Sequence, residues 1–158
     1  MLLKLKIKGI SISKIPDELL GLLKDTETTK VVGTIDDNGI PHLVVKGSLT
    51  TLDNETIVFV EGFEGSLTNE NLIRSIRLNK KVAINVTKGL ISYQIKGFPH
   101  KYLNTDSVFK QLLNLVRERR GADAVIAGVW GVTPEEVRNE SPAYRSALAK
   151  ETSVGQEA

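Results

Sequence analysis

The segment Thr34-Ile35-Asp36-Asp37-Asn38-Gly39-Ile40-Pro41-His42 joins two runs rich in β-branched residues, Thr29 to Ile35 and Ile40 to Leu49. Asparagine and glycine tolerate the positive φ that a tight reversal needs, so the pattern predicts a β-hairpin. A second turn at Asp53-Asn54-Glu55 leads into Thr56-Ile57-Val58-Phe59-Val60. That apolar run has the length of a strand and lacks a polar phase, so it is expected to be buried on both faces. The result is a three-stranded meander.

Helical signals flank this meander. Pro16-Asp17-Glu18-Leu19-Leu20-Gly21-Leu22-Leu23-Lys24 places proline at a helix start and acids in the first turn, where the helix dipole favours them. Residues Thr68 to Leu78 carry Leu72, Ile73 and Ile76 at helical spacing, with threonine or asparagine available as the cap. Lys81 to Thr87 and Leu90 to Phe98 flank Lys88-Gly89 and read as a further hairpin. The clearest helix follows, opened by Thr105 or Asp106, striped by Phe109, Leu112, Leu113 and Val116, and closed by Gly121. Arg117, Arg119 and Arg120 suit its C-terminal dipole. Ala124 to Val132 is expected to be a strand carrying the single tryptophan, Trp130, and Pro134-Glu135-Glu136-Val137 a short turn or helix. Residues 1–148 are assigned to one domain, and 149–158, small and polar, to a loose C-terminal tail. At the N-terminus Leu3, Leu5 and Ile7 alternate with Lys4, Lys6 and Lys8, a strand pattern with one wet face.

Several short strands with two to three flanking helices indicate an antiparallel α+β domain of six or seven strands, in an open or partly closed barrel. The 158 residues suffice for one such core. A formal net charge of +2, made of 21 basic and 19 acidic residues, gives no reason to expect nucleic acid. The absence of cysteine excludes disulfides, thiolate nucleophiles and cysteine-ligated metals. Lysines interrupt the apolar residues of the N-terminal segment, so neither a membrane span nor a signal peptide is expected, and a cytoplasmic location is. With two histidines, His42 and His100, no multi-histidine metal site is expected. No phosphate-loop, dinucleotide or nucleophile-elbow motif occurs.

The order of the hairpin, then Leu67-Thr68-Asn69-Glu70-Asn71-Leu72, then Asn79-Lys80-Lys81-Val82-Ala83 resembles the small FMN-binding members of the pyridoxamine 5'-phosphate oxidase-like superfamily. The resemblance implies a split β-barrel, FMN as cofactor, a small-molecule substrate or redox partner, and a homodimer in which a second subunit covers the barrel. Some of Val58, Val60, Ile84 and Trp130 are expected at that interface. In the relatives a lysine precedes the threonine and pairs with the FMN phosphate. Leu67 stands there in this chain, so the missing charge is assigned to Lys46, with Ser48 beside it and Gly47 allowing close approach to a flat ring. Ser66, Thr68 and Asn71 complete the cofactor set implied by the resemblance. Read from the residues alone, these three are caps of the helix that begins near position 68. Trp130 and Tyr93 are the aromatics available to flank a ring.

In such a protein the flavin carries the redox chemistry, so no side-chain acid or base is required and no catalytic residue is assigned. The paired arginine and lysine strand motif of the full oxidases is missing, which leaves electron transfer or reduction of a small partner as the expected activity. Two alternatives stay open, a non-catalytic ligand-binding module on the same fold and a deazaflavin-dependent reductase.

Overall fold

The structure, a computed structural model, describes residues 10–11 and 14–156. In chain order the elements are β1 (Ile10–Ser11), α1 (Asp17–Lys24), β2 (Thr29–Ile35), β3 (Pro41–Val45), β4 (Thr50–Thr51), β5 (Ile57–Glu61), α2 (Leu67–Arg77), β6 (Val82–Lys88), β7 (Ile91–Tyr102), α3 (Ser107–Arg120), β8 (Gly128–Asn139) and α4 (Pro142–Gln156). The strand pattern expected at Leu3 to Lys8 lies outside the described residues.

All strand pairings are antiparallel, in the order β3-β2-β6-β7-β8-β5-β4, and β1 pairs with the far half of β8. Among the described residues β3 and β4 end this path without pairing to each other, so the sheet is an open, split barrel in an α+β fold. The first hairpin forms where the sequence places it. Asp36 N–H donates to the Ile40 carbonyl, and Gly39 takes a φ of +77°, which a side chain would strain.

β5 is buried at all five positions. Ile57 and Phe59 enter the barrel interior with Leu19, Leu23, Val32, Leu72, Ile84, Ile95 and Trp130. Val58 and Val60 point the other way, into a second cluster closed by Leu112 and Val116 of α3. Burying both phases of β5 is what roofs the barrel on this side. It also corrects the interface expectation, because Val58, Val60, Ile84 and Trp130 are all buried within one chain.

β8 continues past Val132 and absorbs Pro134-Glu135-Glu136-Val137, expected as a turn or helix. The register slips between Lys96 and Gly97 of β7, which pair with Glu136 and Pro134 and leave Glu135 as the extra residue. A bulge is where a strand accommodates proline, whose missing N–H would break a regular ladder. At the C-terminus α4 runs through most of the stretch expected as a loose tail. Proline suits its first position and alanines favour the helix, yet its described side chains are exposed or at most half-buried. It adds a fourth helix to the two or three expected. Among the described residues no helix is long and apolar enough to cross a membrane.

Candidate functional site

α2 turns an unusually polar face inward. Thr68, Asn69, Asn71 and Ser75 are buried beside Leu72, whereas Ile73 and Ile76 of the expected stripe are exposed. Each inward polar group has a partner, as burial demands. Ser66 Oγ accepts the Asn69 N–H at 3.0 Å and caps the helix. Asn69 Oδ1 accepts the Trp130 indole N–H at 3.1 Å. Asn71 Nδ2 donates to Thr34 Oγ1 at 3.0 Å, and Arg74 donates to Asn71 Oδ1. Thr68 Oγ1 sits 3.2 Å from His42 Nε2. This layer ties α2 to β2, β3 and β8, and with it Ser66, Thr68 and Asn71 have structural partners of their own.

Lys46, Gly47 and Ser48 lie elsewhere, in the connection from β3 to β4. They form one wall of a cleft of about 610 Å³ between the end of β5, the C-terminal half of α3 and the end of α1. Ser66, Thr68 and Asn71 are not among its lining residues, so the six candidates divide into two sets. Ser48 Oγ accepts the Val60 N–H at 2.9 Å, which keeps its own hydroxyl proton available to a ligand. Lys46 Nζ donates to Glu61 Oε2 at 2.7 Å. Glu61 is only 2% exposed and also accepts the Phe63 N–H, so it needs that cation. Lys46 is therefore neutralised by a neighbour, and its charge is not free.

The remaining cations of the cleft were not assigned from sequence. Lys24, Lys30, Arg119 and Arg120 all line it, together with apolar surface from Leu23, Leu49, Val60, Leu112 and Val116 and the exposed ring of Phe63. Burial pushes the Lys30 ammonium below its ordinary value of 10.5, the charge of Arg119 pushes the same way, and Asp25 opposes. In the sequence the arginines read as dipole partners of α3, and the fold also sets Arg119 and Arg120 on the wall of the cleft. Lys30 gave one signal in the sequence: it shares the inward phase of β2 with Val32 and Thr34.

The aromatics nominated for a ring are spent elsewhere. Trp130 is fully buried in the barrel. Tyr93 is buried too, its hydroxyl donating to Glu18 at 2.8 Å, and burial together with that bond pushes its phenol up to about 12. His100 packs edge-on against Tyr102 at 4.9 Å, and burial pushes its imidazole below 6.5. Among the described residues no group of three or more histidine, aspartate or glutamate side chains could hold a metal ion.

No protein-family model and no curated protein matches the sequence. Solved structures do match. HupZ of Group A Streptococcus has a TM-score of 0.65 at 20% identity, covering 81% of this chain and 95% of its own. A candidate pyridoxamine 5'-phosphate oxidase from Lactobacillus delbrueckii gives 0.61 at 24%, covering 78% and 93%. An F420 reductase gives 0.57 at 17%, covering 78% and 98%, and an FMN-binding protein from Syntrophomonas wolfei 0.54 at 14%, covering 78% and 82%. At these identities the likeness is one of fold, the split barrel that this chain shares with them.

Proposed function

We propose that the chain is a flavin-binding protein that holds FMN in the cleft beside Lys46, Gly47 and Ser48 and uses it for electron transfer or reduction of a small molecule. The observation that carries the reading is the cleft itself. Its size is that of a small-ligand site, and apolar side chains share its walls with Lys24, Lys30, Arg119 and Arg120, a mixture that suits a flat ring joined to a phosphate. Gly47 leaves open space where a side chain would stand, so a ring can approach the backbone there. Ser48 offers a hydroxyl donor, while the Lys46–Glu61 pair holds the end of β5 against this wall. Ser66, Thr68 and Asn71 lie outside this cleft, so in this reading they fix the start of α2 and do not contact the phosphate. When bound, the flavin supplies the hydride and electron chemistry; the protein orients it and limits access of water.

A deazaflavin is the second reading, favoured by Lys24, Lys30, Arg119 and Arg120, because its longer phosphorylated tail calls for more basic groove residues than FMN does. The visible spectrum of the freshly purified protein separates the two. Flavin bands support FMN, deazaflavin bands the second reading, and a colourless protein that takes up neither cofactor ends both.

A homodimer and a cytoplasmic location belong to the same reading. Among the described residues β3 is an edge strand, and its outer face bears Leu43 and Val45, 69% and 68% exposed, next to Ile35 of β2. Exposed apolar edges are ordinarily covered, and Val45 also lines the cleft, so a second copy on this face would wall the cofactor site. Light scattering is expected to give twice the 17.3 kDa chain mass, and Leu43→Lys to halve that value. A monomeric wild-type protein at micromolar concentration contradicts the dimer.

A further inference from the structure

We infer that the end of the cleft between β2 and the last turn of α3 is an oxyanion subsite, built from Lys30, Arg119, Arg120 and Lys24, that takes a phosphate monoester. The inference shares the cleft with the proposed cofactor site but does not depend on which cofactor occupies it.

Lys30 is the decisive residue. It is 4% exposed, and its ammonium has one protein acceptor among the described residues, the Leu23 carbonyl at 2.8 Å. An ammonium has three donors, so two are left for something else. Burying a cation without an opposite charge is costly, and structures that keep one supply it with a partner. Here the neighbour is of the same sign, since Arg119 lines the same cleft and its charge acts on Lys30. The acids at hand are already engaged. Asp25 Oδ2 is held by Lys88 at 2.6 Å, and its Oδ1 accepts the Glu27 N–H. Glu61 is held by Lys46 at 2.7 Å. The cleft is left with surplus positive charge around a buried ammonium, and a dianion with several acceptor oxygens is the ligand that satisfies it.

The donor set also selects the chemistry. Arginine side chains present forked N–H groups that match phosphate oxygens two at a time, and the lysine adds a point charge from the floor. Arg119 and Arg120 are exposed at the rim, so they can close on an incoming group, whereas Lys30 is fixed by its bond to Leu23. Such an anion would also oppose the downward push that burial exerts on the Lys30 ammonium. The phosphate can belong to a flavin nucleotide or to a separate phosphorylated substrate.

Thermal unfolding in inorganic phosphate against chloride at equal ionic strength, with the full chain, tests the subsite. Phosphate is expected to raise the wild-type midpoint in a saturable manner, as any ligand of the folded state does. Arg119→Gln and Lys30→Met should each weaken phosphate by about tenfold to a hundredfold, the worth of a charge-assisted hydrogen bond. Because each variant is its own reference, a change in basal stability does not confuse the result. The source of the phosphate is read from FMN and riboflavin. If it belongs to the flavin, FMN binds more tightly than riboflavin and Arg119→Gln removes the preference. If it belongs to a substrate, the two flavins bind alike and inorganic phosphate binds beside either. Phosphate binding with no binding of either flavin upholds the subsite and ends the flavin reading. No phosphate response in the wild type, or an equal response in both variants, overturns the inference.

Discussion

Gly97→Ala is expected to cost at least about 3 kcal/mol, the upper end of what forced overpacking does, and so to remove much of a stability that is of order 5–15 kcal/mol for a domain. A Cβ at Gly97 would stand 2.1 Å from the Thr133 carbonyl oxygen, 2.8 Å from the carbon of that carbonyl and 3.0 Å from Val132 Cγ1. Two of these are backbone atoms of β8, so no rotamer change relieves the clash. The site is the β7–β8 bulge, where Pro134 faces Gly97 and the strands are held by pairs on either side of it. Gly47→Ala, where nothing lies within 4 Å of the new atom, is the control and should stay within about 0.5 kcal/mol of wild type. Denaturant unfolding measures both, and a Gly97→Ala loss under about 1 kcal/mol would contradict the bulge geometry.

The second large effect is at the cleft floor. Lys46→Met leaves Glu61 buried without its cation and is expected to cost about 3–5 kcal/mol, the usual result of removing one partner of a buried pair. Lys46→Met combined with Glu61→Leu removes both charges and should recover most of that loss, since a well-packed apolar pair often replaces an ionic one at little cost. A single variant as stable as wild type would mean that the pair is not closed in solution. The same result bears on ligand binding: any loss of flavin affinity at Lys46 has to be read against the collapse of its bond to Glu61.

Local chemistry made most of the fold legible. The Asp-Asp-Asn-Gly turn, the apolar run of β5, the arginine-rich end of α3 and the hairpin at Lys88-Gly89 each carry their own signal, and each formed as expected, whereas Asp106 stands at the N-cap of α3 with its carboxylate turned back to the Leu103 N–H. What failed depended on partners far away in sequence. Pro134 looks like a helix start until Gly97 and a one-residue slip of register make room for it in β8. Ile73 and Ile76 look like a buried stripe until Trp130, Thr34 and His42 supply hydrogen bonds that draw Asn69, Asn71 and Thr68 inward. The site was legible only in part for the same reason. Lys46, Gly47 and Ser48 are contiguous and reached the cleft together, whereas Lys24, Lys30 and Arg119 are brought together by the packing of three elements, and nothing in their spacing announces it. Lys46 itself was misjudged as a free charge because Glu61, fifteen residues on, is joined to it only in the folded chain.

Flavin titration of the wild-type chain and Gly47→Trp, followed by quenching of flavin fluorescence, tests the central claim most directly. Gly47 lines the cleft and has open space around it, so a large side chain fills the site without a clash in the fold. The account predicts saturable binding of one flavin per wild-type chain and a loss of at least about tenfold in affinity for the variant, with its secondary structure unchanged. Equal affinity in the two proteins, or no saturation of the wild type even at millimolar flavin, would contradict it.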